Sequence, residues 1–191
     1  VGGGMSHRGS VAVSVVGGAG MLIADGATAG IAVTSREMIL LLLGELKKGV
    51  NMGMMLITHD LGGVARVADR VAVMYAGQVV ETGTATKVFE NPTHPYTQGL
   101  LECIPIPGKT ERGSPLGSIP GIVPSLVGEL DGCHFSERCR HCKSECMTGA
   151  VEFQAGLADG HDERCGLDKE ECAANFWTGG ATLLISFQSP S

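Results

Sequence analysis

Aromatic residues are scarce in this sequence: they make up 4% of its 191 residues, with a single Trp. The core is therefore expected to be aliphatic, built from Val, Leu, Ile, Met and Ala. No basic stripe occurs, and the formal net charge is −6. That balance argues against a nucleic-acid partner, whose phosphates are bound through basic patches. Long apolar runs are also missing. The longest, Met38 to Leu43, is far short of the roughly 20 residues that span a bilayer, so no transmembrane segment is expected. Val1 to Ser10 lacks the charged-then-apolar order of a secretory signal. An initiator Met is absent too, which suggests a fragment. Charged residues amount to only 18% against 43% hydrophobic, so a packed core is expected rather than wholesale disorder.

Glycine and cysteine are the residues present in excess. Many of the 29 glycines lie before residue 35. Glycine raises the entropy of the unfolded chain, so the N-terminal third is expected to be marginally stable. Six of the seven cysteines fall between Cys133 and Cys172. Without a secretory signal, such clustering reads better as metal ligation than as a disulfide framework.

Along the chain, Met5 to Val16 is a possible helix weakened by glycine. Met21-Leu22-Ile23-Ala24-Asp25 and Met54-Met55-Leu56-Ile57-Thr58 are short apolar runs that read as buried parallel strands. Between them, Thr34 can cap a helix reaching about Lys48, with Ile39, Leu42, Leu43 and Leu46 on one face. Lys47 and Lys48 suit its C-terminal dipole end. A short helix is expected over Leu61 to Ala68. Arg70 to Tyr75 and Gln78 to Thr82, separated by Ala76-Gly77, carry a hairpin signal. Two more short helices fit Thr84 to Glu90 and His94 to Cys103. The strand–helix–strand–helix order predicts an α/β unit with a parallel sheet and a hairpin at its edge. Pro and Gly then mark residues 104–130 as a linker or wrapping segment. A cysteine-rich stretch runs over 131–172, and 173–191 is an unassigned tail.

Several motifs carry a resemblance. Met55-Leu56-Ile57-Thr58-His59-Asp60-Leu61 resembles the H-loop of ABC ATPases. Val71 to Glu81 is similar to the hairpin that follows it. Asn91-Pro92-Thr93-His94-Pro95-Tyr96-Thr97-Gln98-Gly99-Leu100-Leu101 resembles a segment of the dipeptide, oligopeptide and nickel importer branch. The likeness covers roughly residues 1–165. It implies the C-terminal half of an importer's ATP-binding subunit. The implied fold is α/β, a partial P-loop NTPase sheet with helices over 1–103, followed by a cysteine-rich C-terminal extension.

The resemblance also assigns residues. Asp25 matches the Walker B aspartate that holds Mg²⁺ through water, and His59 matches the γ-phosphate-sensing histidine. Gly2, Gly3 and Gly4 stand where the family's Leu-Ser-Gly-Gly signature contacts ATP on a partner subunit, with the serine lost at Gly2. On position alone, Asp25 also fits a strand-end carboxylate capping a loop, and the glycines fit a flexible terminus. Other family features are missing. No Gly-x-x-x-x-Gly-Lys-Ser/Thr phosphate loop occurs, and with it go the backbone N–H cradle and lysine for the phosphates. Gly26 replaces the glutamate that orients the attacking water, and Ala32 replaces the D-loop aspartate. Phosphoryl transfer depends on such positioning, so this chain is expected not to hydrolyse ATP alone.

Cys133, Cys139, Cys142 and Cys146 give a Cys-x5-Cys-x2-Cys-x3-Cys spacing, with Cys165 and Cys172 beyond. Thiolates this close can converge on a soft metal. The run from Gly132 to Cys139 resembles the extension of peptide importer ATPases, which implies Cys133, Cys139, Cys146 and Cys165 as ligands of a 4Fe-4S cluster, with Cys142 a bystander. Zinc bound with Cys142 or His141 is the rival, and unmetallated thiols are the plain alternative.

Two functions follow as expectations. The first is an ATP- and Mg²⁺-dependent subunit that energises peptide or nickel import. It would lie on the cytoplasmic face of the membrane with permease subunits and a second ATPase subunit. The second is a non-catalytic interaction or metal-binding remnant.

Overall fold

The computed structural model describes residues 9, 13, 19–26, 33–50, 52–104, 117–128, 130–155 and 160–168. The chain divides into two compact units, residues 1–69 and 70–191.

The first unit is a parallel pair with two helices. Strand β1 (Met21–Asp25) and strand β2 (Gly53–Ile57) pair in parallel, with Met21 opposite Gly53 and Asp25 opposite Ile57. Helix α1 (Val33–Val50) connects them, and helix α2 (Leu61–Val67) follows. Parallel strands need such a crossover, because a two-residue turn cannot reverse the chain twice. Leu22 from β1, Ile39 and Leu43 from α1, and Met52 form the core, with Met54 and Leu56 packed against it. This core is aliphatic, as composition predicts.

The strands are not buried on both faces, as their apolar runs suggest. Leu22 and Ala24 are covered, while Met21, Ile23, Met55 and Ile57 are 43–61% exposed. Strand side chains alternate between faces, and among the described residues only one face of this two-stranded sheet carries helix packing.

The second unit is built on an antiparallel hairpin, strand β3 (Arg70–Tyr75) and strand β4 (Gln78–Thr84). Ala76 (φ 45°) and Gly77 (φ 79°) form its two-residue turn. Positive φ at both positions matches the right-handed twist of the strands. The Nδ1–H of His134 donates to the Ala76 carbonyl at 3.0 Å, bracing the non-glycine residue of the turn. Helix α3 (Ala85–Glu90) is capped by the Thr84 hydroxyl, which accepts from Lys87 N. Helix α4 (Pro95–Glu102) begins with Pro at its first position, where the missing N–H costs nothing.

Two two-residue strands, β5 (Gln154–Ala155) and β6 (Asp162–Glu163), extend the sheet in the order β3-β4-β6-β5. The core here departs from the aliphatic expectation. Tyr75, Tyr96 and Phe135 meet with ring centroids 4.6–5.4 Å apart. Three of the eight aromatic residues meet in one place, which an average over the chain conceals. Arg138 stacks over Tyr75 and donates to its hydroxyl, and also to the carbonyls of Ile119 and Pro120. One guanidinium thereby fastens the Pro/Gly-rich segment, at Ile119 and Pro120, to the hairpin.

Candidate functional site

In the first unit, the parallel register decides what meets at the carboxyl ends of the strands. Asp25 is the last residue of β1 and pairs with Ile57, so His59 lies two residues beyond that partner. Both side chains are exposed there. The carboxyl ends of parallel strands are where α/β folds place their ligands.

The loop carrying His59 is braced on either side of it. Thr58 Oγ1 accepts from Asp60 N at 3.1 Å. Asp60 caps α2 by accepting from Gly63 N at 3.2 Å, and pairs with Arg36 of α1 at 3.5 Å. Asp60 is thus committed to structure, which leaves His59 as the outward-facing group. Gly26 follows Asp25 with φ 58°, and its N–H donates to the Ile57 carbonyl at 3.0 Å. This left-handed turn belongs to glycine. Of the predicted nucleotide residues, Gly2, Gly3 and Gly4 lie outside the described residues, as do Ala32 and most of the possible helix over Met5 to Val16.

In the second unit, the cysteines gather. Tight turns at Ser136–Arg138 and Ser144–Cys146 fold the segment back on itself, and Cys133 N donates to the Cys146 carbonyl at 2.8 Å. Cys146, Cys165 and Leu167 form a buried cluster, with Cys133 and Cys142 packed against it. Burial pushes the Cys139 thiol up to about 11, with Cys165, Cys133 and Cys142 adding to the effect. Burial also raises Cys133, reinforced by Cys165, Cys146 and Cys142. Thiols in apolar company hold their protons.

All four predicted cysteines are therefore neighbours, and Cys142 joins them. His141 is held below the usual histidine range by burial and by Arg140. Even so, among the described residues no three His, Cys, Asp or Glu side chains are placed to hold a metal ion. Cys172 lies outside the described residues.

The most buried polar cluster was not predicted. Glu81 of β4 is fully buried. Its carboxylate accepts from Thr93 N (2.9 Å), Thr93 Oγ1 (3.3 Å), His94 N (3.0 Å) and His161 Nε2 (2.7 Å). His94 in turn caps α4, its Nδ1 accepting from Tyr96 N at 3.0 Å. These partners lie 12, 13 and 80 residues from Glu81 in sequence. No local spacing signals them.

The oligopeptide/dipeptide transporter C-terminal region matches residues 80–146. A putative peptide import ATP-binding protein of Brucella ovis is 42% identical over 167 residues, covering 85% of this chain and 49% of that protein. The dipeptide transport ATP-binding protein of Escherichia coli is 41% identical over 163 residues, again 85% of this chain and 49% of its own length. A probable peptide ABC transporter ATP-binding protein of Sinorhizobium fredii is 43% identical over 159 residues, covering 82% and 47%. Over 85% of its length the chain is similar to this family of peptide-import ATP-binding proteins. It spans about half the length of the curated relatives it matches. Its mixed α/β architecture, with a parallel pair and flanking helices, is compatible with an ABC ATPase of that family. Among the described residues no helix is long and apolar enough to cross a membrane.

Proposed function

We propose that this chain serves as the nucleotide-responsive part of a subunit that energises peptide import, and that its 191 residues alone do not turn over ATP. The observation that carries this reading is the shared position of Asp25 and His59 beyond the carboxyl ends of β1 and β2. In this reading Asp25 holds Mg²⁺ through water and His59 faces the terminal phosphate of ATP. Gly2, Gly3 and Gly4 approach nucleotide on a second ATP-binding subunit. The partners are membrane-spanning permease subunits, which places the chain on the inner face of the membrane.

The loss of turnover has two causes in this reading. No phosphate loop occurs in the sequence, and Gly26 offers no carboxylate to the attacking water. A glutamate at position 26 would also sit at φ 58°, where an L-residue costs about 1–2 kcal/mol. Gly26→Glu is therefore expected not to restore activity. Phosphate release from ATP and Mg²⁺ by the full chain should stay at background. Turnover that disappears in Asp25→Asn would show the inactive reading to be wrong. The non-catalytic remnant remains the second reading, but no observation favours it.

A 4Fe-4S cluster at Cys133, Cys139, Cys146 and Cys165 rests on the resemblance and on the gathering of thiols, and zinc bound with Cys142 or His141 is its rival. The donor chemistry suits a soft metal, while among the described residues no three such side chains are placed to hold an ion. Iron, zinc and sulfide analysis of anaerobically purified chain tests it. A metal-loaded site predicts near-stoichiometric iron or zinc, and absence of both ends the proposal.

A further inference from the structure

The last described segment, residues 160–168, enters the second unit's sheet at β6, between β4 and β5. β6 pairs with β4, Glu81 opposite Glu163 and Thr82 opposite Asp162, and on its other side with β5, Gln154 opposite Glu163 and Ala155 opposite Asp162. Arg164 N donates to the Val80 carbonyl at 2.8 Å, and the Arg164 guanidinium donates to the Val79 and Val151 carbonyls. Gln154 Nε2 reaches the Cys165 carbonyl at 2.7 Å.

The cross-strand pairing has an unusual cost. Directly opposed residues of an antiparallel pair share a face, and like charges there repel. Here both are carboxylates, with Glu81 0% and Glu163 1% exposed. His161 is the imidazole that pairs with Glu81. It is 2% exposed, and its Nε2 donates to Glu81 Oε1 at 2.7 Å. Its ring fits over Gly83, where an added Cβ would stand 3.1 Å from His161 Cδ2 and 3.2 Å from Val88 Cγ2. The side chain is a plug seated in a depression that only glycine leaves open.

What the plug holds in place is Cys165, four residues on. Cys165 is 4% exposed and completes the cluster with Cys146. It also lines an open depression of about 280 Å³, shared with Glu145, Glu152 and Gln154.

We infer that residues 160–168 form a strap that opens as a unit, fastened by His161 on Glu81, and that its opening gives soft metal ions and thiol reagents access to Cys146 and Cys165. His161 is a positioning residue: it acts by holding the strap against β4. The inference stands whether or not the cluster carries metal.

The test is alkylation of the full chain, reduced and treated with chelator, with N-ethylmaleimide and peptide mapping. His161→Ala should speed modification of Cys165 by about ten-fold or more, with Cys146 following. Cys103, whose thiol donates to the Gly99 carbonyl in α4, should keep its rate. His161→Gln retains a donor for Glu81 and should stay within about three-fold of the parent chain. A Cys165 rate in His161→Ala within about two-fold of the parent overturns the inference.

If Cys103 accelerates equally, the variant has lost its fold, and hydrogen exchange on the unaltered chain decides instead. Amides of 160–168 should exchange together, about ten-fold faster than those of the β3–β4 hairpin. Exchange of both at one rate overturns the strap.

Discussion

Replacing Glu81 by Ala should lower the unfolding free energy by about 3–5 kcal/mol, the range found when one partner of a buried charged network is removed. The side chain is fully buried and is the sole common acceptor for Thr93, His94 and His161. Truncation leaves two backbone N–H groups and an imidazole N–H without acceptors, each costing about 1–3 kcal/mol where water cannot reach. It also removes the joint between three segments: β4, the start of α4 and β6.

Glu81→Gln separates charge from shape. The amide oxygen can replace only one carboxylate oxygen. Its NH₂ would face either the His94 N–H or the Thr93 and His161 donors, so about 2 kcal/mol should be lost. Urea unfolding of the full chain followed by circular dichroism checks both values. Domains of this kind have only about 5–15 kcal/mol of stability in all, so the Ala variant should be visibly compromised at room temperature. A loss below about 0.5 kcal/mol for Glu81→Ala would mean that the network is incidental.

Local signals of this chain were legible, and long-range ones were not. The hairpin turn at Ala76-Gly77 and the helices near Thr84–Glu90 and His94–Cys103 lie where turn chemistry and capping place them. The helix from Thr34 to Lys48 runs over Val33–Val50, a difference within the fraying of helix ends. β1 and β2 were visible as apolar runs, but a run does not say how many faces will be covered. That depends on neighbours the run cannot report, and Ile23 at 61% exposure is the result. β5 and β6 have two residues each, too short for any periodicity to register.

The candidate site divides the same way. The order of strand and loop was enough to bring Asp25 and His59 to one end of the parallel pair. The φ of Gly26 was not readable, since the sequence shows the missing carboxylate but not the left-handed turn. The close spacing of Cys133, Cys139, Cys142 and Cys146 pointed to their gathering, because short loops force proximity, whereas Cys165 was reached only through the resemblance. Ligand geometry depends on side-chain rotamers, on which spacing is silent. The Glu81 cluster depends on a contact across 80 residues, and no window along the chain contains both ends of it.

That cluster also sets how the protein should respond to acid. His94 is buried, and burial holds its imidazole down to about 4 against an ordinary 6.5, a shift only partly opposed by the Glu81 carboxylate and the Arg164 carbonyl. The bonding agrees: Nδ1 accepts from Tyr96 N, which a protonated nitrogen cannot do. Well above pH 6.5 the ring is uncharged in both the folded and the unfolded chain, and His94 adds no pH dependence. Between 6.5 and about 4 the unfolded chain takes up a proton that the folded chain refuses. The state binding more protons gains as pH falls, so folding stability must decline through this window.

The full difference of roughly two and a half units corresponds to about 3 kcal/mol by pH 4. His94→Asn retains a side-chain acceptor at the cap and does not titrate. The variant should start from lower stability, since it fills less of the buried space, but lose less between pH 6.5 and 4. Denaturation curves of both chains at half-unit pH steps check this, because the difference between their slopes isolates His94 from the other histidines and the carboxylates. Parallel slopes would mean that the ring is neutral in neither state's favour and that the cap survives protonation. The expected divergence would make the start of α4, joined through Glu81 to the strap, the first part of the second unit to yield in acid.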